Sequence, residues 1–135
     1  MSSTINTGNV MLVRLKELLT IELKKILQQE AHNDNHINLY ETGDYWVAFE
    51  KSAYQLGQLT DSAERTMVLR VKNHPFPIIM CSIHYKRLDD VCRKHIMAKR
   101  TLDYLQFVTH PVDRKSYGKW YSELLLEGQN LFGQI

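Results

Sequence analysis

Ile37-Asn-Leu-Tyr-Glu-Thr-Gly-Asp-Tyr-Trp-Val-Ala-Phe-Glu50 is the stretch from which the fold of this chain is read. Ile37 to Glu41 alternates apolar and polar side chains, as a half-buried strand does. Thr42-Gly43-Asp44 supplies turn residues, and Tyr45 to Phe49 is dense in strand formers. The whole reads as a β-hairpin. Glu50 to Gly57 then places Ala53, Tyr54 and Leu56 at helical spacing and ends on a glycine, which predicts a short helix capped at that point.

Upstream, residues 1–9 are polar and predict a flexible N-terminus. From Val10 to Glu30, Leu15, Leu18, Leu19, Leu23, Ile26 and Leu27 fall largely along one stripe, which predicts a single long helix packed by one side. Ala31 to His36 is a polar loop. Downstream, Met67 to Val71 predicts a strand, 73–77 a turn, and the apolar run Ile78 to Ile83 a central strand. Lys86 to Arg100 predicts a helix with Leu88, Val91, Cys92, His95 and Ile96 on one face. Leu102 to Val108 predicts a closing strand with Leu102, Tyr104 and Phe107 to one side, and Lys119 to Leu131 a last helix. The order is that of an α+β domain: a small mixed β-sheet flanked by helices, one domain over 10–135.

Composition agrees with an ordinary folded chain. Hydrophobic residues make up 44% and charged residues 24% of 135, which argues against disorder and against a membrane class. No run approaches a membrane span and the start lacks a signal-peptide pattern, so the cytoplasm is the expected address. Cys81 and Cys92 are too few for a disulfide framework and are expected reduced. Seventeen basic against fifteen acidic residues permit contact with nucleic acid without demanding it.

Motifs for nucleotide cradling and for a serine nucleophile elbow are absent. His32 and His36 are four apart, but Asn-Asp-Asn between them favours a loop over a metal-binding helix. Cys92 and His95 read as one helix face rather than a thiolate pair, and Asp89-Asp90 as acids near a helix N-terminus. No catalytic residue, metal or cofactor is therefore expected. The basic residues Lys86, Arg87, Arg93, Lys94, Lys99 and Arg100, with Arg70 and Lys72, suggest one positive face for phosphate contacts.

Ile37 to Glu50, with its Gly-Asp-aromatic-aromatic core, is similar to the opening of the MutS mismatch-recognition domain. Ile78-Ile-Met-Cys-Ser-Ile-His-Tyr85 resembles that family's strand ending in Gly-Ile-Pro-Tyr-His, with Ser82, His84 and Lys86 at the glycine, proline and final histidine positions. Leu69-Arg-Val-Lys-Asn73 resembles its Leu-Thr-x-Arg-Gly, which places Lys72 at a basic position. The resemblance covers about residues 37–108 and implies the recognition domain alone, without its ATPase. In the family a phenylalanine wedges into the minor groove and a glutamate hydrogen-bonds the mispaired base; Tyr45 and Val47 occupy those positions.

The resemblance implies a non-enzymatic DNA-binding module, related to mismatch repair, that contacts mismatched or distorted DNA through Tyr45, Lys72, Lys86, Arg93 and Lys94. The alternative is a protein-interaction or regulatory domain that keeps the fold and works by homodimerising or by docking on another protein. An exposed aromatic at Tyr45 would favour the first, and a deep polar pocket would speak for a small enzyme.

Overall fold

The computed structural model describes residues 13–60, 65–128 and 133–134. Helix α1 covers residues 13–20 and α2 covers Leu23–Ala31. Strands β1 (His36–Glu41) and β2 (Tyr45–Phe49) form the expected hairpin, with Tyr40 opposite Val47 and Glu41 opposite Trp46. Then come α3 (Glu50–Thr60), β3 (Thr66–Arg70), β4 (Ile78–His84), α4 (Tyr85–Lys94), β5 (Met97–Arg100), β6 (Tyr104–Val108), α5 (Arg114–Gly128) and β7 (Gly133–Gln134). They build one sheet in the order β5-β6-β1-β2-β4-β3-β7. The first six pair antiparallel, and the two-residue β7 lies parallel to β3. This is an α+β chain with helices on both faces of the sheet.

Strand alternation decides which residues meet which helices. Ile37, Leu39, Trp46, Ala48, Ile79, Cys81, Ile83, Leu105 and Phe107 join Ala53 and Leu56 of α3 and Leu88 and Val91 of α4, with Trp120 and Tyr121 of α5 packed against them. Tyr40, Val47, Phe49, Leu69, Ile78 and Met80 point the other way and pack with Leu18, Leu19, Leu23 and Ile26 of α1 and α2. Because β2 and β4 are covered on both sides, they read as continuous apolar runs. Between β2 and α3 there is no loop. Glu50 turns the chain directly from strand to helix with φ 52°, a left-handed conformation that side chains other than glycine seldom adopt.

Several expectations are corrected. The first helix is broken: Ile21 and Glu22 interrupt it, Ile21 is 79% exposed, and both halves thereby press leucines onto the sheet. Residues 1–12, including the tail predicted to be flexible and the predicted helix start at Val10, lie outside the described residues. Helix α3 continues past Gly57 to Thr60 instead of capping there. The helix expected over 86–100 ends at Lys94; Met97–Arg100 is a strand, because β6 offers it a hairpin partner. Ile96 is consequently 73% exposed, not part of an apolar helix face. In β6, Tyr104 faces α2 while Leu105 and Phe107 face the opposite core, and Leu102 is 93% exposed in the turn before it. Asp89 and Asp90 sit in the middle of α4, which begins at Tyr85. Helix α5 starts at Arg114, earlier than predicted.

Candidate functional site

The sheet face that packs on α1 and α2 carries Tyr45 at the start of β2 and His84 at the end of β4. Tyr45 and His84 are cross-strand partners at that end. Their rings meet edge to face, with centroids 5.1 Å apart. His84 also stacks obliquely on Tyr85, centroids 4.5 Å apart, and Tyr85 is 46% exposed. The backbone holds this trio in place: the Tyr85 amide donates to the Asp44 carbonyl at 2.9 Å, which ties the start of α4 to the hairpin turn. His84 Nδ1 accepts the Lys86 amide at 3.2 Å and so caps α4; the neutral ring then carries its proton on Nε2.

One cation lies against the rings and others follow along α4. The Arg65 guanidinium lies 5.8 Å from the Tyr45 ring centroid, within cation–π range. Its Nη1 is buried and has no hydrogen-bond partner among the described residues. Arg87 donates from Nη2 to the Thr60 carbonyl at 3.1 Å, at the C-terminus of α3, where a cation is favoured by the helix dipole. Lys86 is exposed beside them, and Arg93 and Lys94 follow two turns further along α4, also exposed. Arg93 makes only a loose 3.9 Å contact with Asp90. The result is an aromatic and basic ledge.

Of the residues singled out from sequence, Tyr45 and Lys86 meet at this ledge, and Arg93 and Lys94 extend it. Tyr45 is half-buried beneath Arg65 rather than a free wedge; the exposed ring is Tyr85. Lys72 stands apart. It lies in the turn between β3 and β4, beyond the Leu69–Ile78 pair, whereas His84 ends β4 six residues further on, roughly 20 Å along the strand. One continuous positive face through Lys72 and α4 is therefore not formed. Val47, expected from the resemblance to stand at a base-contacting position, is fully buried between the sheet and α1–α2. Arg65 and Tyr85 were not singled out; the signal for Tyr85 was an aromatic at the junction of an apolar strand and a basic helix.

The chain matches no family model, no curated protein and no solved structure.

A second cluster of perturbed groups lies under α5. Burial drives the Glu50 carboxyl up to about 8, and the Tyr117 and Tyr121 hydroxyls lie 3.4 and 3.5 Å from its oxygens. Burial, with the nearby Glu50 charge, raises both tyrosines, Tyr121 to about 12. Glu30 is buried at 2% exposure, which pushes its carboxyl up, but the Ser52 amide and hydroxyl, Asn38 Nδ2 and Asn33 Nδ2 donate to it at 2.6–3.2 Å. It pins α2, β1 and α3 together. Among the described residues no group of three or more His, Cys, Asp or Glu is placed to hold a metal ion, and no helix is long and apolar enough to cross a membrane. Cys81 and Cys92 are not joined in a disulfide.

Proposed function

We propose that this chain is a DNA-binding module that stacks unpaired bases, in single-stranded or distorted sites, on the ledge formed by Tyr45, His84 and Tyr85. The observation that carries the reading is the exposed Tyr85 ring stacked on His84, which meets the Arg65-covered Tyr45, with exposed Lys86 next to it in the chain. Base stacking tolerates any sequence because every base has a π-face, and neighbouring cations neutralise the phosphates that accompany it. Buried Val47 supplies no hydrogen-bond acceptor to a mispaired base. Selectivity in this reading rests on unpairing, not on the identity of the mispair.

The test is fluorescence anisotropy with labelled single strand, mismatched duplex and homoduplex, at low and near-physiological salt. Single strand binds best, binding weakens as salt rises, and Tyr85→Ala weakens it about tenfold, the loss of one stacked base at ~1–3 kcal/mol. Absence of binding to all three at low salt refutes the proposal. The alternative, a protein-interaction domain, draws on one observation: among the described residues β5 is an edge strand, flanked by exposed Ile96 and Leu102, to which a partner strand could pair. Light scattering across a concentration series distinguishes it, since a strand-paired dimer would show twice the mass.

A further inference from the structure

The α1–α2 face of the sheet carries a second site, away from the ledge. On β1 and β6, positions that alternation turns toward α2 hold Asn38, Tyr104 and Gln106 instead of aliphatic side chains. Helix α2 bonds to β1 through Glu30 and to β6 through Gln29, and a cleft of about 950 Å³ is lined by residues of α2, β1, β6 and β5.

Its floor is a hydrogen-bond network whose direction is fixed by chemistry. The Glu30 carboxylate accepts from Asn38 Nδ2 at 2.9 Å, so the Asn38 Oδ1 faces the other way. That oxygen accepts from the Tyr104 hydroxyl at 2.5 Å, Gln106 Nε2 at 2.9 Å and Gln29 Nε2 at 3.3 Å. Gln29 and Gln106 also donate to the Tyr104 oxygen at 3.1 and 3.2 Å. With both amide nitrogens committed inward, each glutamine has its carbonyl oxygen left to offer to the cleft. Tyr40 borders the same space at 7% exposure, and its hydroxyl has no partner among the described residues. A buried hydroxyl left unbonded is costly and calls for an explanation.

The rim has the opposite character. Lys99 pairs in register with Gln106, which pairs with Asn38, so cation and floor lie in one row across three strands. Lys25 faces Lys99 from α2, and His32 and His36 line the same cleft. Neither lysine is in an ion pair among the described residues, whereas Arg14, also at the rim, is bound to Glu22 at 2.9 Å and to Asp103 at 3.5 Å. Lys25 and Lys99 are thus the lining lysines outside ion pairs among the described residues, while Glu22 and Asp103, which line the same cleft, share the single charge of Arg14 with Glu17. A ligand that satisfies both parts brings hydroxyl donors to the glutamine carbonyls and an anionic group to the lysines.

We propose that this cleft binds a sugar phosphate, its hydroxyls on Gln29 and Gln106 and its phosphate between Lys25 and Lys99. The test is titration of the isotopically labelled full chain, followed by NMR, with glucose-6-phosphate, ribose-5-phosphate, glucose and inorganic phosphate. At least one sugar phosphate shifts the side-chain amides of Gln29 and Gln106 and the Lys99 backbone amide saturably, and both parent components bind at least about tenfold more weakly. The Lys25→Gln/Lys99→Gln double variant, whose surface changes leave the rest of the spectrum in place, weakens sugar-phosphate binding about tenfold or more. The proposal is overturned if neither sugar phosphate gives saturable shifts at these residues, if inorganic phosphate binds as tightly as either, or if the double variant binds unchanged. Since the shifts are read at the cleft, the outcome is independent of DNA binding at the ledge.

Discussion

Glu30 and Glu50 are both buried carboxylates, yet their surroundings give them different behaviour. Glu30 receives four donors, so removing it strands the Ser52 amide and hydroxyl and the Asn38 side-chain amide without their acceptor, while Asn33 keeps the His36 carbonyl. Glu30→Ala is expected to lower the unfolding free energy by about 3 kcal/mol, measured by urea denaturation, because a buried donor set loses its partner. Glu50 has long contacts to two tyrosines and a backbone hydrogen bond from Ile79, but burial dominates, so its folded pKa of about 8 exceeds its ordinary value of 4.5. Protons are then held more tightly by the folded state. The stability Glu50 contributes is complete below 4.5 and is lost as pH rises through about 8. Relative to Glu50→Gln, the wild type should lose about 4 kcal/mol between roughly pH 5 and pH 9, and parallel curves for the two proteins would refute the assignment.

At the scale of elements, the break between α1 and α2 determines which apolar residues matter. Ile21 belongs to the run of apolar residues read as one helix, but it sits in the break and points into solvent, while Ile26, five residues on, is 2% exposed. Ile26→Ala is expected to cost about 2–5 kcal/mol and Ile21→Lys less than about 0.5, in the same denaturation experiment. Similar losses from both would mean an unbroken helix. The hairpin of β1 and β2 and the interior strand β4 were legible because alternation and an uninterrupted apolar run are local signals. The strand Met97–Arg100 was not. Met-Ala-Lys-Arg carries no strand periodicity of its own and follows a helix with compatible spacing; its conformation comes from pairing with β6.

For the whole molecule, the placement of cations on opposite ends of one sheet separates residues that the sequence grouped together. Lys86→Gln and Lys94→Gln should each weaken single-strand DNA binding and reduce the slope of log affinity against log salt by about 0.7, the increment expected when one phosphate is no longer neutralised. Lys72→Gln should leave both affinity and slope unchanged, since the β3–β4 turn lies at the far end of the strand from the ledge. Anisotropy titrations at several salt concentrations check this. A reduced slope for Lys72→Gln would place that turn on the DNA path and enlarge the site.

By itself the sequence determined the α+β class, the hairpin turned at Thr42-Gly43-Asp44, the apolar β4 and the basic character of α4, because each rests on side chains within a few residues of one another. It also contained Tyr45 and Lys86 as candidates. Only the tertiary structure decided that Tyr85 is the exposed ring, that Arg65 covers Tyr45, that Val47 is core, and that Asn38 and Gln106 line one cleft with Lys25 and Lys99. Those relations depend on strand order and on which sheet face a helix leaves bare. Both are set by long-range pairing, as between His36–Tyr40 and Tyr104–Val108, which no local pattern encodes.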